Sequence, residues 1–240
     1  LVPFQCLEKA SEAVSAIFRA GYTPSALELM EIDALMIVSE EVGSTSVPIT
    51  PDTAAHLIIE VDGNHLDTLM SEMESIGELL LQYDCGEIYF AEDHQQKNEL
   101  WKLRRRVAEV VKTKGYTIEE DTVVPRAVLP DLIRAVKNLG KQHGFTAVCY
   151  GHAGDGNLHI RLNKPGIPNS FANDEMNNIL RALFIEVKKL GGTISGEHGV
   201  GLIQKGYMDV MMDPVHFRLM REIKKAFDPN NILNAGKIFD

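Results

Sequence analysis

The stretch Gly151-His152-Ala153-Gly154-Asp155-Gly156-Asn157-Leu158-His159 places two histidines symmetrically about an Asp-Gly pair. Asp-Gly is a strong signal for a two-residue hairpin turn, because both central positions take φ > 0. With Asp155 and Gly156 as that turn, Gly154 is expected opposite Asn157, Ala153 opposite Leu158 and His152 opposite His159. Directly opposed residues of an antiparallel pair have Cβ atoms roughly 4.5–5.5 Å apart and share a face, so the two imidazoles could share one metal ion. Ser195-Gly196-Glu197-His198-Gly199-Val200-Gly201 adds a carboxylate and another imidazole. Imidazole suits Zn, Cu, Fe and Ni. Two histidines and one carboxylate leave coordination positions open, the mark of a catalytic rather than a structural metal. The same ligand set also suits non-haem iron.

Each of these residues has a plainer reading. A strand histidine is often half-buried and bonded to backbone, and a glutamate is usually solvated. The mirrored spacing favours a metal for His152 and His159, and the four glycines within 192–201 would let backbone approach a ligand bound by Glu197. His198 reads as a proton acceptor beside the metal, since adjacent residues point in different directions and imidazole titrates near neutrality. Ligation by His198 in place of Glu197 stays open. Arg104-Arg105-Arg106 fan over about 200° of a helix, so one or two face inward. Trp101 lies on the side of Arg104. An arginine facing inward beside apolar surface clamps a carboxylate with two parallel hydrogen bonds; a solvated basic face is the alternative. Asp155 and Asn157 are expected to serve the turn, and Lys205 is either functional or merely exposed.

These residues need elements to hold them. Helices are expected over 7–20 and 25–38, a loop (a lid or an edge connection) over 39–54, and a strand over 57–61. A helix over 65–83, a strand over 87–91 and a long helix over 94–113 follow, the last closed by Gly115. The second unit reads as a helix over 130–144, strands over 146–150 and 157–162, and a helix over 171–190. A short strand at 193–195 and a helix over 214–227 complete it. The pattern predicts an α+β fold, a mostly antiparallel sheet with helices packed on it, in two units of similar element order but no clear sequence repeat.

Length and composition bound the rest. The chain has 240 residues, 45% hydrophobic and 24% charged, as ordinary globular domains do. A net charge of -10 argues against nucleic acid as a partner. Cys6, Cys85 and Cys149 are scattered and do not suggest a disulfide framework, so a reducing, cytoplasmic setting is expected. No apolar run suggests a membrane span, and the N-terminus lacks both a signal-peptide pattern and an initiator Met. Neither Gly-x-Gly-x-x-Gly after a strand nor Gly-x-x-x-x-Gly-Lys-Ser/Thr occurs.

Three motifs together resemble a known family. They are His152-Ala153-Gly154-Asp155-Gly156-Asn157-Leu158-His159, Ser195-Gly196-Glu197-His198-Gly199-Val200-Gly201, and Phe227-Asp228-Pro229-Asn230-Asn231-Ile232-Leu233-Asn234-Ala235-Gly236-Lys237. Ser25-Ala26-Leu27-Glu28-Leu29-Met30, Trp101 with Arg104, and Glu120-Asp121-Thr122-Val123-Val124-Pro125 fit as well. The chain resembles the C-terminal half of FAD-linked oxidases of the vanillyl-alcohol-oxidase type. Within them it looks most like the group of D-lactate dehydrogenase, glycolate oxidase and D-2-hydroxyglutarate dehydrogenase. The resemblance implies a ferredoxin-like duplicated cap domain over 1–240, with a flavin-facing tail over about 213–240. It implies that most of the FAD sits on an N-terminal domain outside this chain, so that the chain alone would be inactive. It also implies Zn or Mn on His152, His159 and Glu197, His198 as base, Arg104 on the substrate carboxylate and Asn234 near the flavin ring. Further implied partners are a small 2-hydroxy acid, an electron-acceptor protein or quinone, and a second copy in a homodimer; a membrane-peripheral location is the alternative to a cytoplasmic one. The hydroxyglutarate enzymes carry asparagine where this chain has Arg161, and lysine near the place of Glu119, which points to a monocarboxylate such as lactate or glycolate. Two rival readings are a stand-alone 2-His-1-carboxylate oxygenase and a non-catalytic metal-binding module.

Overall fold

A computed structural model of the chain describes residues 1–43, 47–165 and 174–239. Strand β1 (Val2–Phe4) leads to helix α1 (Leu7–Arg19) and strand β2 (Ala26–Glu31); α2 (Ile32–Val42) follows without a break, then β3 (Ala55–Glu60) and α3 (Leu66–Leu80). The long helix α4 (His94–Thr113) crosses to β4 (Ile118–Val123), α5 (Leu129–His143), β5 (Thr146–His152), β6 (Asn157–Asn163), α6 (Asp174–Lys189) and β7 (Thr193–Ile194). Helices α7 (Met208–Met211) and α8 (Pro214–Phe227) precede the tail.

The strands form one open sheet in the order β1-β3-β2-β5-β6-β4-β7, every pairing antiparallel. The α+β expectation therefore holds, and so does the duplication. The second half reads outward from its innermost strand as β5, β6, β4, β7. The first reads β2, β3, β1, and then a segment after α3 that runs back along β1. There Gly86 N donates to Pro3 O at 2.8 Å, Tyr89 N to Leu1 O at 2.9 Å, and Phe4 bridges Cys85. The second half is thus a β-α-β-β-α-β unit. The first follows the same order with α2 inserted between β2 and β3 and an irregular segment in place of its last strand, and the two meet at the β2–β5 seam.

Helices α1, α3, α5 and α6 cover one face, where Leu27, Leu29, Leu57, Cys149, Ile160 and Phe184 form the larger core. On the opposite face α2 and α4 cover only the middle strands, over Met30, Ile58, Val148 and Tyr150. The rest of that face is left to polar groups. Successive strand residues point to opposite faces, so Glu28, His152, Asn157, His159, Arg161, Glu119 and Asp121 all fall on it. Helix α8 buries none of its residues, and Val215, Leu219, Ile223 and Phe227 form an exposed apolar stripe. Among the described residues no helix is long and apolar enough to cross a membrane.

The expected elements need four corrections. The helix placed over 25–38 is strand β2 followed by α2, and α2 occupies the start of the expected loop. Leu27 and Leu29 alternate with Glu28 and Met30, and both faces of β2 are buried, so burial overrides the helical propensity of Leu, Glu and Met. The strand placed over 87–91 forms no regular ladder; its partner β1 is only three residues long. Strand β4 was not foreseen. Its Glu119-Glu120-Asp121 run has the look of a solvated segment, yet Glu120 and Asp121 are almost wholly buried. The hairpin register also differs from the expected one, as set out below. Positions 44–46 of the expected loop and 171–173 of the expected helix lie outside the described residues.

Candidate active site

The hairpin pairs Tyr150, not His152, with His159, and its connection is the four residues 153–156. Two neighbours hold this longer turn. Gly154 N donates to Leu27 O at 3.2 Å, and Val124 N to Gly156 O at 3.0 Å. Gly156 sits at φ +76°, where a Cβ would strike the Val124 carbonyl, so the turn closes onto Val124 only with glycine there. Tyr150 and His152 share a face, as do Asn157 and His159. His152 and His159 are therefore diagonal neighbours on one face, with ring centroids 5.6 Å apart and planes nearly perpendicular.

Glu197 completes a cluster. Its Oε1 lies 3.6 Å from His152 Nε2 and 3.4 Å from His159 Nε2, and the three ligand atoms lie within 4.8 Å of one another. Ligands about 2.1 Å from a tetrahedral ion stand about 3.4 Å apart, and the two Glu197 separations are close to that, so the three side chains could hold a divalent cation between them. His198 lies beside the cluster. Its ring stacks on His159 with centroids 5.4 Å apart, and its Nε2 is 3.6 Å from Glu197 Oε1. The side chains of Glu197 and His198 are about half exposed, 48% and 51%, so the site is open on that side.

Two carboxylates behind the cluster were not foreseen as functional. Glu28 is 5% exposed. Its Oε1 meets His152 Nδ1 at 2.6 Å, and its Oε2 accepts Arg104 Nε and Nη2, each at 2.8 Å. Burial alone would raise the Glu28 pKa, but His152 and Arg104 outweigh it and hold the group below its ordinary value. The same hydrogen bond outweighs burial at His152 and raises its pKa, while burial lowers that of His159. Asp121, 1% exposed, accepts the backbone N–H groups of Glu197 and His198 through Oδ2, both at 2.8 Å. Burial alone would raise the Asp121 pKa, but those two N–H groups outweigh it and keep the residue a carboxylate. Asp121 therefore fixes the loop that presents Glu197 and His198. Gly196 makes this possible, because a Cβ there would collide with the Asn157 amide and come within 2.8 Å of Asp121 Oδ1. Asn157 is thus part of the site floor rather than of the turn, and Asp155 is the exposed turn residue.

Arg104 faces inward as expected, but its apolar neighbour is Tyr150, whose ring centre is 5.3 Å from the guanidinium carbon. Trp101 instead donates to Glu60 on β3 at 3.1 Å, with Arg105 over its ring. Further along β6, Arg161 is 8% exposed: Nη2 meets Glu119 Oε2 at 2.5 Å and Nε donates to Tyr150 Oη at 3.2 Å. The structure does not bring Asn234 to the cluster. It lies on the exposed tail at φ +50°, its Oδ1 accepting from Lys237. The tail does run beside the loop that follows His198, with Ile238 N bonded to Gly201 O and Lys205 Nζ to Gly236 O.

Fold and site together define an antiparallel α+β domain that carries an open cluster of two histidines and a carboxylate, flanked by a further histidine and an arginine. The chain belongs to the family of FAD linked oxidases, C-terminal domain, which matches residues 1–238. It is 32% identical to glycolate oxidase subunit GlcD of Bacillus subtilis over 100% of this chain and 50% of that protein. It is 29% identical to D-lactate dehydrogenase of Anaerostipes hadrus over 99% of this chain and 51% of that protein. The chain thus spans about half the length of the curated relatives it matches. Its fold matches 4-ethylphenol oxidase from Gulosibacter chungangensis with a TM-score of 0.66 at 16% identity, covering 99% of this chain and 52% of the oxidase. The family is one of oxidoreductases and implies FAD.

Proposed function

We propose that this chain is the substrate- and metal-binding part of a flavin-dependent dehydrogenase that oxidises a small D-2-hydroxy acid, of lactate or glycolate type, to the 2-oxo acid. The observation that carries the reading is the cluster of His152, His159 and Glu197, with His198 on its open side and Arg104 behind it. A divalent metal, Zn or Mn, held by these three residues would act as a Lewis acid toward the hydroxyl oxygen. FAD, when bound, supplies the hydride acceptor, and the redox chemistry is the cofactor's own. The residues of the chain do the rest. His198 takes the hydroxyl proton at an imidazole nitrogen. Arg104 spends its Nε/Nη2 edge on Glu28 and offers the remaining edge to the substrate carboxylate. Position 161 carries an arginine paired with Glu119 where the hydroxyglutarate-type enzymes carry asparagine, which favours a short monocarboxylate.

An N-terminal FAD-binding domain would face the open side of the site and cover the apolar stripe of α8, with Asn234 on the tail turned toward the flavin. The length outside this chain in its relatives, about half of each, leaves room for such a domain. The test uses the full-length, flavin-loaded protein. D-lactate or glycolate should be oxidised much faster than D-2-hydroxyglutarate, and His159→Ala should lose both stoichiometric metal and turnover. No oxidation of any 2-hydroxy acid by metal-replete enzyme would overturn the reading. Iron-dependent oxygen consumption without flavin would replace it with an oxygenase.

A further inference from the structure

We infer that Glu28 is a positioning residue that joins the arginine behind the substrate to the metal cluster, so that a single buried carboxylate sets the geometry of both. The inference rests on the functional reading above and adds a residue to it. Both oxygens of Glu28 are committed, Oε1 to His152 Nδ1 at 2.6 Å and Oε2 to the Nε and Nη2 of Arg104 at 2.8 Å. The first contact has a definite chemical consequence. A carboxylate only accepts, so His152 presents an Nδ1 proton to Glu28, which leaves Nε2, 3.6 Å from Glu197 Oε1, as the nitrogen that could bind a metal. The second contact occupies one edge of the guanidinium and fixes the direction of the other. Glu28 is 5% exposed and its strand pairs directly with β5, Glu28 standing opposite His152, so the carboxylate cannot follow one partner without moving against the other.

A plainer role would be an interior ion pair that fastens α4 to β2. The two roles separate in Glu28→Gln. The amide keeps the size of the side chain, and its oxygen still accepts from Arg104, but its NH2 then faces His152 Nδ1. That drives the imidazole proton to Nε2 and blocks the lone pair needed by the metal. A fastener predicts a lower melting temperature with unchanged metal affinity. A positioning residue predicts weaker metal binding in a folded protein.

The experiment measures Zn2+ and Mn2+ dissociation constants of the full-length flavoprotein by chelator competition, beside KM and kcat for D-lactate. Glu28→Gln should weaken metal binding about ten- to hundredfold and also raise KM. Arg104→Met should raise KM and leave metal affinity within a few-fold of wild type, so that of the two only Glu28 moves both. If Glu28→Gln fails to fold because Arg104 is left without its counter-charge, Glu28→Gln/Arg104→Met removes that charge and should still bind metal weakly. Metal affinity equal to wild type in whichever of these two variants folds overturns the inference and leaves the functional reading intact. A metal effect in an enzyme inactive on every 2-hydroxy acid supports it while the functional reading falls. A wild type that takes up no metal overturns both.

Discussion

Glu28, Glu119, Glu120 and Asp121 lie on two strands of one sheet, and their neighbours give them different fates. Glu28 and Asp121 are held as anions by a histidine, an arginine and backbone N–H groups, and Glu119 pairs with Arg161. Glu120 points to the other face, 0% exposed, with only the Gln204 amide at 2.8 Å, and burial pushes its pKa up to about 7. A folded-state pKa above the unfolded value near 4.5 means that unfolding releases a proton between those pH values. Stability should therefore fall as pH rises from about 4.5 to about 7 and level off above, by an amount on the order of 3 kcal/mol. Glu120→Gln keeps the contact with Gln204 and should remove the share of the decline that Glu120 contributes, buried Glu31 (also pushed up to about 7) keeping its own, so that the variant is more stable than wild type at pH 8 in denaturant titrations. Equal profiles would mean that Glu120 ionises without cost. At this scale His152, His159, Glu197 and His198 were legible from residue type and short spacing. Glu28 and Asp121 were not, because they reach the site from 124 and 76 positions away in the chain and their carboxylates resemble any others until the sheet aligns them.

The elements show why local pattern reading succeeded for α1, α3, α4, α5, α6 and α8 and failed for β2 and β4. The stripes of α1, α5 and α6 repeat at helical spacing because each helix lies on one face of the sheet. β2 is buried on both faces and β4 carries buried acids, so neither shows the alternation that marks a half-buried strand. The Asp-Gly turn was recognised but its length was not, since Val124 and Leu27, remote in sequence, set the register. Loop 195–198 depends on close approach in the same way. Gly196→Ala should push the loop off Asn157 and Asp121 and displace Glu197. Metal affinity is expected to fall about tenfold or more, with the far-ultraviolet circular dichroism of the fold unchanged. Wild-type affinity in this variant would show that the loop has slack.

The whole molecule is two like halves with unequal duties. The second half supplies His152, His159, Asp121, Glu197 and His198, while the first supplies Glu28 through β2. The halves meet along a register of three residues on each side, Glu28–Met30 against Tyr150–His152, whereas β2–β3 and β4–β6 each pair over six. Folded proteins open in cooperative units whose stabilities differ, and the short ladder where the two halves of the sheet join is where such an opening would begin. Amide protons bridging β2 and β5 should exchange with deuterium faster than those between β4 and β6; exchange only on global unfolding would contradict this. Opening there parts Glu28 from His152. On warming, the proposed metal should therefore be released some degrees below the temperature at which the secondary structure melts.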